Sequence, residues 1–202
     1  MKLIALLLIL LSSCSQLKYG VDISAQKMSY EESSPSQTLL ISNNAVRIPS
    51  VTLTSKGFGG RIGITEESKY LLTKISYYKS EHSNDNYWIN NNKLNMTLEE
   101  SGLEGLIAWK LYCFRVFGSV TKGTQDFSVE SSDSKVSGQV NYVGFGYGLG
   151  LELPMSENTF FYVSMHKKTI YDEYDIVTKR SHGLLSVGLR FNLFTIEGSN
   201  PF

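Results

Sequence analysis

Three histidines and two cysteines are the residues of this sequence best equipped for chemistry. His166 follows Ser164 at an interval of two in YVSMHKK, so on an extended strand both side chains share one face. A hydroxyl beside an imidazole is the minimum of a nucleophile–base pair. The same pair serves equally as two polar residues on an interior face, and that is the reading adopted. His82 stands in SEHSNDNYWINNN, a polar stretch with no second ligand at metal-binding spacing. His182 opens the alternating segment HGLLSVGLRFNLF. Cys113 lies in WKLYCFRVF among apolar and aromatic neighbours, the setting of an inert packed thiol. GFGYG at 144–148 is not followed by a helical pattern, which removes a phosphate loop, and Asp172-Glu173 lacks the spacing of a calcium loop. No catalytic residue, cofactor or metal centre is therefore predicted.

The start of the chain, MKLIALLLILLSSCSQ, has one lysine, an apolar run from Leu3 to Leu11 and small residues before Cys14. The run is too short to span a bilayer and has the anatomy of a secretory signal. Leu11-Ser12-Ser13-Cys14 is similar to the bacterial lipobox, in which the cysteine is acylated and becomes the mature N-terminus. The alternative is ordinary cleavage near Ser15. Either route takes the mature protein out of the cytoplasm and leaves Cys113 without a partner for an internal disulfide. The expected organisation is a signal segment over 1–14 with lipidation at Cys14, a β-domain over 18–194, and a tail over 195–202.

Basic and acidic residues both number 19 in the 202-residue chain, so the formal charge is zero. That balance argues against nucleic-acid binding. Twelve tyrosines, ten phenylalanines and 17 glycines against four prolines suit a β-rich fold.

Period-two alternation recurs along the chain. Val143, Phe145, Tyr147, Leu149, Leu151 and Leu153 share one face, and Gly144, Gly146, Gly148, Gly150 and Glu152 the other. Leu185, Val187, Leu189, Phe191 and Leu193 oppose Ser186, Gly188, Arg190 and Asn192. Similar patterns near residues 19, 58, 69, 102, 114 and 160 bring the count to about eight strands. Short links fall at 65–68, 110–113 and 154–158, and long polar links at 31–50, 80–98, 123–135 and 171–180. Alternating short and long links predict an antiparallel up-and-down meander.

A soluble barrel would turn its apolar face inward, and a membrane barrel turns it to lipid. A strand face of four glycines and a glutamate is a poor surface for water, whereas small residues relieve crowding inside a barrel of eight strands. Arg61, Lys74, Glu104, Arg115, Glu152 and Arg190 fall on the same face as the glycines, with both signs present. Charges enclosed there must pair, so these six are expected to form an interior polar network. The expected fold is all-β: an antiparallel, up-and-down, eight-stranded transmembrane β-barrel after an N-terminal signal peptide.

VGFGYGLGLELP, its short turn, NTFFYVSM and the terminal LLSVGLRFNLF resemble the small eight-stranded outer-membrane β-barrel proteins of Gram-negative bacteria. The resemblance covers most of residues 18–194. It implies residence in the outer membrane, contact with its lipid, and recognition of the aromatic-ended closing strand by the barrel-assembly machinery. The leading expectation for function is a non-enzymatic structural or loop-mediated role rather than a wide porin. The alternative is a lipid-anchored soluble barrel or sandwich that binds a small apolar ligand in the periplasm. A third reading, an outer-membrane lipid hydrolase, comes from similarity to the lipid A deacylases. They carry a His and a Ser two apart on one strand, here in reversed order as Ser164 and His166.

Overall fold

The computed structural model describes residues 16–34, 37–41, 44–48, 51–89, 92–130, 135–172 and 179–197. The expected signal segment with Cys14, and the last residues of the expected tail, lie outside the described residues. Ten strands follow in chain order: β1 (Gln16–Ser34), β2 (Gln37–Ile41), β3 (Asn44–Ile48), β4 (Val51–Glu67), β5 (Leu71–Ile89), β6 (Asn92–Leu111), β7 (Phe114–Glu130), β8 (Lys135–Pro154), β9 (Thr159–Asp172) and β10 (Lys179–Glu197). Eight of them close an antiparallel barrel in the order β1-β10-β9-β8-β7-β6-β5-β4, and β2 with β3 forms a separate hairpin between β1 and β4.

Paired residues followed once around the wall run from Asp22 through Gly63, Ser76, Glu104, Thr121, Gly144, Ile170 and Arg180. They return to β1 at Glu32, ten residues beyond the start. Such a stagger requires strands tilted by about 35–45° to the barrel axis.

The alternation decides which face looks outward. Leu149 is 63% exposed, and Phe58, Ile62, Ile75, Ile107 and Val187 also stand on the outer surface, while Glu152 is 5% exposed. This is a soluble protein turned inside out: charge within, hydrocarbon without. An eleven-residue apolar face such as Val143–Leu153 matches the ~9–11 residues that a tilted strand needs to cross a bilayer.

Among the described residues, three of the four long polar links expected from the sequence, 31–50, 80–98 and 123–135, are largely strand, and most of the fourth, 171–180, lies outside them. β5 runs to Ile89 and β6 resumes at Asn92, so most of 80–98 belongs to the wall. The physical reason is that apolar alternation reports lipid contact, not strand. Beyond the outward apolar belt both faces carry polar residues, and the hydrogen-bonded ladder continues without the pattern. His82 is accordingly a buried residue of β5 rather than a loop residue.

The glycines of β8 answer to bulk on the neighbouring strands. A Cβ at Gly144 would meet the Ile170 side chain, at Gly146 the His166 ring and the Ser119 hydroxyl, and at Gly148 the Phe117 ring. These rings occupy the volume that side chains at those positions would need. Gly105, by contrast, faces outward, with nothing near a built Cβ. Gly148→Leu should therefore cut the yield of folded barrel, overpacking of this kind costing ~1–3 kcal/mol, while Gly105→Leu leaves it unchanged. The fraction migrating as compact barrel on an unboiled gel reads both. Equal yields would show that the lumen has room.

Candidate functional site

The lumen is where the chain concentrates its chemistry. Its side chains are stacked in tiers, each built by strands distant in sequence.

At the short-turn end, two carboxylates and three cations meet among the described residues. Arg190 donates from Nη2 to Glu152 Oε1 at 2.7 Å and from Nη1 to Asn192 Oδ1 at 2.9 Å, and also pairs with Glu67. Arg115 pairs with Glu152, and Lys110 with Glu67, its Nζ lying 3.9 Å from Glu152 as well. The Arg190 guanidinium stacks over Phe160 at 4.3 Å. Strands β4, β6, β7, β8 and β10 are cross-linked at this one level.

The middle tier holds two further pairs. Lys74 Nζ donates to Asp22 Oδ1 at 2.5 Å, and the Tyr162 hydroxyl donates to the same oxygen at 2.8 Å. Arg61 grips both oxygens of Glu104 at 3.1 Å, and Thr121 adds a third donor at 3.4 Å. Two-pronged pairing of this kind is the strong form of the ion pair. An apolar plug of Leu72, Leu106, Ala108 and Phe117 fills out the packing of the lumen.

His166 meets a hydroxyl, but it is that of Ser119 on β7, 3.0 Å from Nε2. Ser164 borders the same small cavity beside Arg61, Lys74, Phe117 and Tyr162. The imidazole is thus bonded to the Ser119 hydroxyl rather than to the Ser164 hydroxyl that the interval of two suggested. The apolar surface of this region faces outward, away from that bond.

Towards the opposite end, the Tyr78 and Tyr142 hydroxyls bond to one another and Lys168 lies over the Tyr78 ring at 4.6 Å. Beyond them Glu100, His82 and His182 are fully buried. Gln125 donates from Nε2 to Glu100 Oε1 at 2.8 Å, and Arg180 donates to Gln125 Oε1.

All six residues expected in the interior network are buried in the lumen. Four of them form two pairs, Arg61 with Glu104 and Arg190 with Glu152, and Arg115 joins the second. Sequence reasoning names these residues without pairs, and the stagger puts Arg61 against Glu104 and Arg115 against Glu152. It omitted Asp22, the partner of Lys74, although Asp22 stands on the polar face of β1. It also omitted Glu67, which had been placed in a turn, and the cluster around Glu100. Only a knowledge of register would have found these.

The outer wall has its own pattern. On five strands, the outward residue next beyond the apolar run, on the side away from the chain ends, is an exposed lysine: Lys27 past Ala25, Lys56 past Phe58, Lys79 past Tyr77, Lys122 past Val120 and Lys167 past Met165. The other rim is aromatic. Trp109, Tyr112, Phe114 and Tyr70 are exposed there, and Tyr19 stacks on Phe194 at 5.1 Å. Aromatic rings favour the bilayer interface.

No protein family matches the chain, and no curated protein does. Similar folds occur among solved structures. Neisserial surface protein A is 15% identical, with 86% of this chain and 99% of that one covered and a TM-score of 0.48. Ail, the attachment invasion locus protein of Yersinia pestis, is 10% identical, with 85% and 99% covered and a TM-score of 0.49. The N-terminal β-barrel domain of Pseudomonas aeruginosa OprF is 17% identical, with 83% and 97% covered and a TM-score of 0.43.

Proposed function

We propose that this chain is an integral outer-membrane barrel with a non-enzymatic, structural or loop-mediated role, and that its lumen carries no solute. The observation that supports it most directly is the inversion of faces: apolar residues ring the outside while the charges within pair with one another. A soluble barrel for a small apolar ligand would need the opposite arrangement. A porin would need an open lumen, and in this one the side chains of opposite walls touch.

The lysine rim gives the outer surface a partner of definite chemistry. Lysine stems lie along hydrocarbon while the ammonium reaches the headgroup level, and there it meets phosphate-bearing headgroups of the leaflet away from the chain ends. LLSVGLRFNLF, which supplies the β10 side of the closing seam, is the segment we assign to the barrel-assembly machinery.

Carbonate extraction of membranes tests the proposal. The expected result is retention in the membrane, a mobility shift on unboiled gels and no conductance in planar bilayers. Release by carbonate would overturn the membrane reading, and a steady conductance the closed lumen.

The start of the mature chain is separately testable. Cys14→Ser should abolish acylation and alter processing without affecting barrel folding. Mass spectrometry of the wild type finding an unmodified start near Gln16 would remove the lipid anchor.

A further inference from the structure

We propose that the lumen end away from the chain termini holds a divalent transition-metal ion of the zinc type, bound by His82, Glu100 and His182. The inference concerns a part of the lumen that the proposed structural role does not use.

The three residues come from β5, β6 and β10, none adjacent in sequence, and the register brings them to one place. All are buried, and one ligand atom from each lies within 4.8 Å of the others. His182 Nε2 and Glu100 Oε1 are 3.4 Å apart. An ion ~2.1 Å from each donor, as zinc sits from imidazole and carboxylate, sets tetrahedral donors about 3.4 Å apart. The imidazole rings meet edge to face with centroids 5.9 Å apart, so they converge without stacking.

The donor set selects the ion. Two imidazoles and a carboxylate suit zinc, nickel or copper, whereas calcium and magnesium take oxygen ligands. Three protein donors leave a fourth position for water.

Two further features mark the cluster as built. Gln125 orients Glu100 by donating to Oε1 at 2.8 Å, and is itself fixed by Arg180, the outer-shell support that ligating carboxylates have. Glu100 Oε2 is buried and accepts no hydrogen bond among the described residues. An acceptor left so carries a desolvation penalty that an ion would remove. On β4, a Cβ at Gly57 would lie 2.8 Å from Cγ and Nδ1 of His82, so the glycine makes the space in which that ring sits.

The surroundings also oppose the ion. Lys168 and Arg180 add positive charge beside the donors. They hold the affinity below that of an isolated site of the same donors, and removing one should raise it.

The experiment uses the mature protein folded in detergent micelles and freed of metal by a chelator. Cobalt(II) added to it should produce a visible ligand-field band saturating at one equivalent per chain, abolished by zinc(II). His82→Ala and His182→Ala should each weaken binding by more than the ~10–100-fold that loss of an outer-shell partner costs, Gln125→Ala by about that amount. Lys168→Met should tighten it, and His166→Ala, in another tier, should leave it unchanged. Imidazole nitrogen NMR of the wild type needs no variant to fold: zinc should shift His82 and His182 and spare His166. No cobalt band on folded wild type, a band that survives both histidine variants, or imidazole signals unmoved by zinc would each reduce the cluster to a hydrogen-bonded plug and overturn the site.

Discussion

Leu149→Arg should leave little folded, membrane-inserted protein. Leu149 is in the middle of the apolar face of β8, flanked by Tyr147 and Leu151 and paired with Val116 on β7 and Met165 on β9, all of them facing outward. A guanidinium there stands at mid-bilayer with no partner in its row, which costs ~2–4 kcal/mol on the lipid face of a barrel. Native stabilities of 5–15 kcal/mol are small enough for that to matter. The same substitution two residues beyond the run, Asn141→Arg, lies at the polar rim and should be tolerated. Yield of compact barrel and protection from protease in vesicles measure both. Normal assembly of Leu149→Arg would reverse the faces.

The second large effect concerns Glu152. Its carboxylate is shared by Arg190 and Arg115 and lies 3.9 Å from Lys110. Glu152→Gln leaves three cations with Glu67 alone. Removal of one member of a buried pair typically costs ~3–5 kcal/mol, because the remaining charge is stranded. Arg190→Gln should cost a similar amount. The double variant should lose less than the two single losses summed, because the second substitution removes a charge the first had stranded. Arg61→Gln combined with Glu152→Gln should instead be close to additive, since Arg61 belongs to Glu104. Denaturant unfolding of the wild type, the three single variants and the two double variants measures the coupling. Strict additivity for Glu152 with Arg190 would dissolve the cluster.

The sequence revealed the wall of this barrel more fully than its contents, and the reason is physical. Contact with lipid imposes a rule on every second residue, so Phe145 to Leu153 or Leu185 to Leu193 announces both strand and face. Beyond the bilayer the rule lapses. Asn84, Tyr87 and Trp88 are paired with β6 although nothing in NDNYWINNN alternates cleanly. His82 was lost to the same lapse. The interior was legible as a list of charges but not as pairs, because pairing depends on the stagger. A shift of ten residues per circuit moves Arg61 to the level of Glu104, and that shift belongs to all eight strands together rather than to any one.

The pairing of β1 with β10 has a consequence for how the protein can be made. Most contacts of the wall join strands that are neighbours in the chain and can form early. The seam is different: Gln16 must find Glu197, the first described residue against the last. Closing so long a loop is entropically costly and slow. Until it happens the chain is an open curl with two raw edges and a greasy back, the form most prone to join a neighbouring copy. Closure of the wall thus waits on β10, the strand that removes both edges at once.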